Sequence, residues 1–461
     1  MVNPKRVVDR KQFKHRIPEK FNINGRCFTQ PIQIANALNS YFTSIGSQMA
    51  NSIPAQDGYK SYLKQSYGSF QLAKPHESVV MGIMKKQQPK LSCGVDTINN
   101  KLVKHCCKEL AFPMAQIIDL SIEEATVPKK LKIARIIPLY KKGAANECGN
   151  YRPVSLLSAL SKILEKAICS QLMSYLESDH SLCHDQYGFR PKSQTTHVVH
   201  KLLNIIQANS IKNEVTIVTF LDLSKAFDCL QYDKLFFKME KLGFHEHTIK
   251  WFKSYLSLRQ QCTDLDGTLS DWMDVELGVP QGSILGPILF LIYVNDINNC
   301  DNTARFVKFA DDTTVITSAP TLKEATWKMN GTLIRVSKWF RSNKLNLNPS
   351  KTRYMIFNGK GTTETELVQI DDQYIERVWK YGAEKSFKLV GIQIDEQLKW
   401  EEHITCLFVC LSALDYCFTL EVWSAPGVPP RRHPRRRPLR FTQQARLKYI
   451  TKTYSNLTYI G

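Results

Sequence analysis

Arg305-Phe-Val-Lys-Phe-Ala-Asp-Asp-Thr-Thr-Val-Ile-Thr317 is the stretch that decides the fold, because two adjacent carboxylates interrupt a largely apolar run. The β-branched and aromatic residues on either side predict a strand, a tight turn and a second strand, with Asp311 and Asp312 at the tip. Two carboxylates held between buried strands repel each other and lose hydration, so such a site requires cations. Carboxylate oxygens suit magnesium, which completes its coordination with water and phosphate oxygens.

A third carboxylate, Asp222, ends the β-branched run Val215-Thr-Ile-Val-Thr-Phe-Leu221, which predicts a buried strand. If that strand lies beside the hairpin, three carboxylates meet at one end of a sheet. Three are enough to hold two divalent ions about 4 Å apart, the arrangement used for in-line phosphoryl transfer. Each aspartate also has an ordinary explanation, since Asp favours turns and helix N-caps.

Between the two acidic elements lies the segment Leu277-Gly-Val-Pro-Gln-Gly-Ser-Ile-Leu-Gly-Pro-Ile-Leu-Phe290. Its glycines and Pro280 predict a tight loop, and the apolar residues that follow predict a helix. Backbone amides at glycines can approach a substrate closely, and Gln281 offers a donor and an acceptor to a base or sugar. The alternative interpretation is an ordinary loop before a core helix.

The order of residues 220–228, 278–287 and 309–312 resembles that of reverse transcriptases of non-LTR (LINE-type) retrotransposons, with the jockey-like group most similar. Further segments match the family's motifs: Asn150-Tyr-Arg-Pro-Val-Ser-Leu-Leu157, Gln186-Tyr-Gly-Phe-Arg190, Leu345-Asn-Leu-Asn-Pro-Ser-Lys-Thr352 and Phe387-Lys-Leu-Val-Gly-Ile-Gln-Ile-Asp395. The resemblance implies an α+β fold. It implies a right-hand polymerase with fingers, palm and partial thumb, in which helices back an antiparallel palm sheet.

The resemblance also implies roles for individual residues. The metal ligands and catalytic carboxylates are Asp222, Asp311 and Asp312, and Lys351 is the general acid for the departing pyrophosphate. The nucleotide-binding residues are Lys142 (or Lys141), Arg152, Phe227, Gln281 and Gly282. Phe227 would lie under the incoming sugar and exclude a 2′-hydroxyl, although it also suits an ordinary core. The template and primer contacts are Arg190, Leu389 and Gly391.

The expected function is RNA-directed DNA synthesis, in which a DNA 3′-hydroxyl is extended on an RNA template. The implied cofactors are two Mg²⁺ ions, with Mn²⁺ as the alternative, and the implied partners are an RNA template, a DNA primer end and deoxynucleoside triphosphates. Two alternatives remain: a group II intron-type polymerase, and a catalytically inactive, nucleic-acid-binding remnant of a decayed element. The sequence does not determine the oligomeric state.

Composition fits a nucleic-acid partner. The chain has 461 residues with 62 Lys and Arg against 42 Asp and Glu, a formal net charge of +20 that indicates a polyanion. No lipidation signal or long apolar span favours a membrane. The 13 cysteines contain no Cys-x-x-Cys pair, which argues against a zinc knuckle and for a reducing compartment. We expect an intracellular protein, nuclear and also cytoplasmic with element RNA.

Four regions are predicted along the chain. Residues 1–84 form a helical connector, residues 85–403 form fingers and palm with a primer grip near 387–395, and residues 404–425 begin a thumb-like region. Residues 426–461 are a basic, Pro- and Arg-rich tail expected to be disordered, which binds nucleic acid, directs nuclear import or results from a frameshift. Helices at 236–256 and 331–344 are expected beneath the palm sheet, and no upstream endonuclease is expected.

Overall fold

The computed structural model of the protein describes residues 20–23, 26–54, 56, 58–179, 181–359 and 367–407. The α-helices are α1 (Pro31–Ser52), α2 (Glu77–Lys85), α3 (Asn100–His105), α4 (Cys107–Glu123), α5 (Ala159–Ser178), α6 (Thr195–Ile211), α7 (Tyr232–Lys241), α8 (Glu246–Leu256), α9 (Leu285–Tyr293) and α10 (Leu322–Ser342). The strands are β1 (Phe21–Ile23), β2 (Arg26–Phe28), β3 (Ile133–Tyr140), β4 (Tyr151–Leu157), β5 (Val215–Leu221), β6 (Leu223–Ser224), β7 (Arg259–Leu265), β8 (Thr268–Leu269), β9 (Met273–Val275), β10 (Arg305–Phe309), β11 (Asp312–Ala319), β12 (Asn346–Leu347), β13 (Arg353–Phe357), β14 (Gln369–Ile370), β15 (Gln373–Tyr374), β16 (Glu376–Arg377), β17 (Phe387–Leu389) and β18 (Ile392–Ile394).

The central sheet has the strand order β10-β11-β5-β13-β16. Its neighbours are antiparallel except β13 and β16, which run parallel. Every residue of β5 is buried, as its uninterrupted β-branched and apolar composition predicts for a strand covered on both faces. Helices and largely antiparallel strands are therefore mixed in one unit, and the predicted α+β class is confirmed.

Alternation along the strands of the central sheet separates two hydrophobic cores. Ile217 and Val315 face a large core formed with α5, α8, α9 and α10. Val218 and Phe220 face the opposite core, which α6 and the β17–β18 hairpin cover. Phe220 stacks on Phe387 of that hairpin, with ring centroids 4.2 Å apart. Because side chains in a strand alternate between its faces, the single strand β5 joins both cores.

The second sheet has the order β4-β3-β7-β8, with β9 paired to β7. Helix α1 covers it, since Ile34, Leu38 and Phe42 recur at helical spacing and pack in a core shared with β3 and β7. Asn39 of α1 donates to the carbonyl oxygens of Gln261 and Asp271. The helix predicted for the connector is present and packs directly against this sheet.

The structure corrects two helix predictions. The single helix expected at 236–256 is two helices, α7 and α8, and Gly243 between them has φ +82°. A Cβ on Gly243 would lie 2.0 Å from the carbonyl oxygen of Gly68, so this turn needs glycine. The helix expected at 331–344 begins earlier, at Leu322, where the Thr321 side chain accepts a hydrogen bond from the Glu324 amide.

Two further predictions concern residues beyond the described part. Most of the expected thumb-like segment and all of the basic tail fall within 408–461, which lies outside the described residues. In the described residues, the helices are too short or too polar to cross a membrane.

Candidate functional site

Strand pairing brings the three predicted carboxylates to one edge of the central sheet. Thr313 of β11 lies opposite Leu221 of β5. Continuing that antiparallel register by one residue places Asp312 across from Asp222, the first residue after β5. Asp311 lies in the two-residue turn between β10 and β11, immediately beside Asp312. The predicted convergence of Asp222, Asp311 and Asp312 is therefore what the register produces.

Burial and mutual repulsion raise the pKa of two of these carboxyls. The pKa of Asp312 rises from its ordinary 3.8 to about 6, because the surrounding protein removes hydration although part of the side chain meets solvent. The negative charges of Asp311 and Asp222 add to that rise. Desolvation also raises the pKa of Asp311. In the described part of the chain, none of the three forms a direct salt bridge.

The donor set suits divalent cations, because three neighbouring carboxylates supply hard oxygen ligands and concentrated negative charge. Among the described residues, no three His, Cys, Asp or Glu side chains lie close enough to form a complete metal-binding site. The carboxylates are therefore neighbours on one sheet edge rather than a closed coordination shell. Asp222, Asp311 and Asp312 are the residues that would hold a metal ion, because they are carboxylates at the same end of the sheet.

Cationic side chains surround this edge. Arg152 of β4 and Lys141, just after β3, both act to lower the pKa of Asp311. Lys141 also acts on Asp312, and its own pKa is lowered mainly by desolvation and then by Arg152 and Lys351. The charge of Asp222 opposes that lowering. Arg152 and Lys141 therefore lie near the carboxylates, Lys351 lies near Lys141, and the roles of Arg152 and Lys351 stay predictions.

The structure distinguishes Lys141 from Lys142, which the sequence left open. The charge of Lys141 lowers the pKa of Asp311 and of Asp312, whereas the charge of Lys142 acts on Lys141. These electrostatic couplings favour Lys141, and the triphosphate contact of Lys142 or Lys141 stays a prediction. The two lysines are adjacent, so their side chains leave the chain in different directions as it leaves β3.

The glycine-rich loop at 277–283 packs against β4 and against the segment after β5. The Ser155 amide donates to the Gln281 carbonyl oxygen at 2.8 Å. A Cβ on Gly282, which has φ +123°, would lie 2.8 Å from the Ser155 carbonyl oxygen. The Gln281 side-chain NH₂ donates to both carboxylate oxygens of Asp228, at 2.9 and 3.1 Å. Gln281 therefore holds Asp228, and its role in a nucleotide pocket stays a prediction.

The position of Phe227 is compatible both with a core residue and with a contact for the incoming sugar. Its ring lies 4.5 Å from that of Phe290 in the core and 6.4 Å from that of Phe189 at the surface. The residue is half-buried, so one side packs on α9 while another remains accessible. This placement leaves room for a sugar to contact the ring, and the role itself stays a prediction.

Two predicted template or primer contacts are corrected. Arg190 is bonded within the protein: it pairs with Glu177 through two nitrogens and donates to the carbonyl oxygens of Cys183 and Gln186. Leu389 is 3% exposed and packs in the core beneath the central sheet. Neither side chain is presented to a nucleic acid. Gly391 has φ +94° in the turn of the β17–β18 hairpin, and its contact with primer stays a prediction.

Lys351 lies in a turn that is tied to the first acidic strand. The Asn348 amide donates to the Asp222 carbonyl oxygen at 2.9 Å, and the Asp222 amide donates to Thr352 Oγ1 at 3.3 Å. Lys351 is exposed between these anchors. An exposed ammonium near Asp222 suits proton donation, and its role as a general acid stays a prediction.

Sequence reasoning missed Lys225 and the part that Gln186 plays. Lys225 follows Asp222 by three residues and is half-buried, with its ammonium 5.6 Å from the centre of the Tyr41 ring. Gln186 is 3% exposed and bonds the turn that carries Asp311. Both belong to segments that the motif comparison quoted, but pairing between distant segments does not follow from residue spacing.

The raised pKa of Asp312 predicts a magnesium-dependent stabilisation that grows with pH. Between about pH 4 and about pH 6 the folded carboxyl binds more protons than the unfolded one, so metal-free stability falls as pH rises. Above that range a divalent ion binds the ionised site and stabilises the fold. Magnesium should therefore raise the melting temperature more at about pH 7.5 than at about pH 5. Thermal melts with Asp311→Asn/Asp312→Asn as control test this; an equal shift at both pH values would contradict it.

Comparison with known families agrees with this site. A family described as "Reverse transcriptase (RNA-dependent DNA polymerase)" matches residues 139–394, which is more than half of the chain and includes all three aspartates. The chain therefore belongs to the reverse transcriptase family.

Individual curated proteins are also similar to this chain. The RNA-directed DNA polymerase from mobile element jockey of Drosophila melanogaster is 26% identical over 348 residues, covering 73% of this chain and 37% of that protein. The probable RNA-directed DNA polymerase from transposon BS of the same species is 28% identical over 385 residues, covering 80% and 41%. The predicted similarity to non-LTR retrotransposon enzymes is confirmed. The chain spans about two fifths of the length of these relatives.

Proposed function

We propose that this chain carries the polymerase activity of a non-LTR retrotransposon: it extends a DNA 3′-hydroxyl on an RNA template with deoxynucleoside triphosphates. One observation carries the proposal. Asp222, Asp311 and Asp312 meet at a single sheet edge, and the cations Lys141 and Arg152 face them. Such a site holds metal ions and a triphosphate side by side. Family membership and the names of the jockey and BS relatives support the choice of polymerase.

The residues divide the reaction between them. Divalent ions held by the three aspartates, Mg²⁺ by preference, would activate the primer hydroxyl and stabilise the leaving pyrophosphate. Arg152 binds triphosphate oxygens with its planar guanidinium, and Lys141 adds a point charge beside it. Lys351 donates a proton to the departing pyrophosphate.

Positioning residues complete the site. Phe227 offers one side of its ring to the incoming sugar, while Phe290 holds the other side in the core. Gln281 and Gly282 line the nucleotide pocket, where Gln281 bonds Asp228 after β5 and Gly282 lies against Ser155 of β4. These contacts fix the floor of the pocket before any nucleotide binds, which lowers the ordering cost of binding.

The right-hand arrangement fits the two sheets. We assign the central sheet, with its carboxylate edge, to the palm, and the second sheet, with Arg152, to the fingers. The β17–β18 hairpin, which packs on the palm through Phe387 and Phe220, is assigned to the primer grip. A nuclear location follows from the proposed primer, since chromosomal DNA supplies the 3′-hydroxyl.

Template and nucleotide selection test the proposed function. Wild-type protein is incubated with a DNA primer annealed to RNA or to DNA of the same sequence, with magnesium and either deoxynucleotides or ribonucleotides. We expect extension with deoxynucleotides on the RNA template. Binding to RNA without extension under any condition would instead support a nucleic-acid-binding remnant.

Lys141 and Lys142 form a matched pair for testing the triphosphate contact. Lys141→Ala should raise the KM for deoxynucleotide about 10-fold, because it removes a charge beside the carboxylates that would meet the phosphates. Lys142→Ala removes the same charge one residue away and should change KM by less than about twofold. Steady-state kinetics at constant template concentration measure both. Equal effects of the two substitutions would contradict the assignment of Lys141.

A further inference from the structure

The turn that carries the catalytic aspartates has an unusual backbone. Ala310 precedes Asp311 and has φ +59°, in the left-handed region that residues with a Cβ seldom occupy. The β10–β11 ladder ends at the pair Phe309 and Asp312, so Ala310 and Asp311 lie outside its strand pairing. Such a conformation persists only where surrounding contacts hold it.

Those contacts come from residues 185–188, which lie alongside the end of β10. Gln186 and Lys308 form a parallel bridge, with the Tyr187 amide donating to the Lys308 carbonyl oxygen at 2.9 Å. The Lys308 amide donates in turn to the Asp185 carbonyl oxygen at 2.8 Å. This segment therefore continues the sheet beyond β10 and ends against the turn.

The Gln186 side chain bonds the left-handed residue on both sides of its backbone. Its Oε1 accepts from the Ala310 amide at 3.0 Å and from the Gly188 amide at 2.8 Å. Its Nε2 donates to the Ala310 carbonyl oxygen at 3.3 Å. Because Gln186 is 3% exposed, water cannot readily replace these bonds.

Two neighbours of Gln186 adapt the segment to this contact. A Cβ on Gly188 would lie 2.1 Å from the Ala310 nitrogen, so the two backbones approach as closely as only glycine allows. Arg190, two residues after Gly188, pairs with Glu177 and donates to the Cys183 and Gln186 carbonyl oxygens. These bonds of Arg190 hold the backbone at Gln186 in place, and the Gln186 side chain extends from there to Ala310.

We propose that Gln186 is a positioning residue: its amide holds the Ala310 peptide and thereby sets the directions of the Asp311 and Asp312 carboxylates for nucleotidyl transfer. This inference rests on the proposed function for its catalytic consequence. The Gln186 side chain bonds backbone groups of Ala310 and Gly188. It acts through the turn, and displacement of a reacting group by about 1 Å costs about 100-fold in rate.

The test uses Gln186→Leu, which keeps the side-chain volume and removes all three hydrogen bonds. The matched control is Asn209→Leu. Asn209 is a buried amide that bonds Thr216, near the start of β5 and at the other end of the sheet from Asp222. A second variant, Gln186→Glu, keeps the acceptor oxygen for the Ala310 and Gly188 amides but loses the donor to the Ala310 carbonyl oxygen.

Hydrogen–deuterium exchange of a peptide spanning residues 306–313 reports the turn without requiring activity. In Gln186→Leu the Ala310 amide should exchange at least about 10-fold faster than in the wild type, because its acceptor is gone. Asn209→Leu should retain the wild-type exchange, and Gln186→Glu, which keeps the acceptor but loses the donor, should exchange more slowly than Gln186→Leu. Primer extension with Gln186→Leu should show kcat about 100-fold lower, with KM for deoxynucleotide changed less than about threefold.

The outcomes separate the proposals. Unchanged exchange, unchanged kcat, or an equal loss of kcat in Gln186→Leu and Asn209→Leu would each overturn the positioning role. A wild-type protein that extends no primer would overturn the proposed function. Exchange alone would then decide whether Gln186 orders the turn.

Discussion

Asp311→Asn and Asp312→Asn should each reduce nucleotide incorporation about 1,000-fold or more, because a neutral amide neither carries the charge nor supplies the ligand strength that divalent ions need. Both side chains project from the tip that β10 and β11 form, beside Asp222. Asn keeps the size of Asp, so the turn itself should survive. Loss of activity would therefore report the chemistry of the carboxylates rather than the fold.

A matched carboxylate lies close by. Asp228 follows Asp222 by six residues and has a raised pKa, mainly through burial, yet its partners are Gln281 and Lys225 rather than the other aspartates. Asp228→Asn should lower the rate by less than about 10-fold, since the amide can still accept from Gln281. Pre-steady-state incorporation of a single nucleotide measures all the variants. Retained activity in Asp312→Asn would contradict the assignment of the metal ligands.

Asp296→Leu should lower the free energy of unfolding by about 3–5 kcal/mol, because it leaves a buried ammonium without its counter-charge. Lys238 of α7 is 1% exposed and donates to Asp296 Oδ1 and to the Tyr293 carbonyl oxygen, each at 2.6 Å. Trp339 of α10 donates to the other oxygen of Asp296 at 3.0 Å. The pair thus connects three elements behind the carboxylate edge.

Two controls isolate the buried charge. The double variant Lys238→Met/Asp296→Leu replaces both charges with apolar groups and should recover at least half of the lost stability. Glu123→Leu breaks the surface ion pair between Lys74 and Glu123, whose side chains are 54% and 61% exposed, respectively. This change should leave the free energy of unfolding unchanged. Urea unfolding measures each variant. A double variant as unstable as Asp296→Leu alone would show that shape, not charge, governs this position.

Local patterns in the sequence predicted the parts of the fold that depend on local chemistry. The apolar runs around Asp222 and around Asp311 became the strands β5, β10 and β11, because each run is β-branched and ends at a charged residue. Antiparallel pairing then placed the carboxylates together, as expected. The spacing of Ile34, Leu38 and Phe42 likewise predicted α1.

Long-range contacts account for what the motifs did not predict. Nothing near Arg190 in the chain indicates that Glu177 and two carbonyl groups use its donors. Burial of Leu389 depends on the hairpin folding back onto the central sheet. Gln281 finds Asp228 only once the glycine-rich loop packs against the segment after β5. A motif resemblance predicts the role of a residue, whereas the direction of its side chain depends on tertiary packing.

The break at Gly243 shows the same limit for secondary structure. Helical periodicity continues through residues 236–256, so the sequence predicts one helix. The structure ends α7 at Lys241 because the chain turns at Gly243 to pass close to Gly68. That approach involves residues far apart in sequence, which no local pattern contains.

Extension of a labelled DNA primer on an RNA template, with magnesium and deoxynucleotides, tests the central claim most directly. Wild-type protein and Asp311→Asn/Asp312→Asn are compared in the same assay after circular dichroism shows that both are folded. The proposed site predicts extended products for the wild type and none for the double variant. Equal extension by both, or none by the folded wild type, would contradict it.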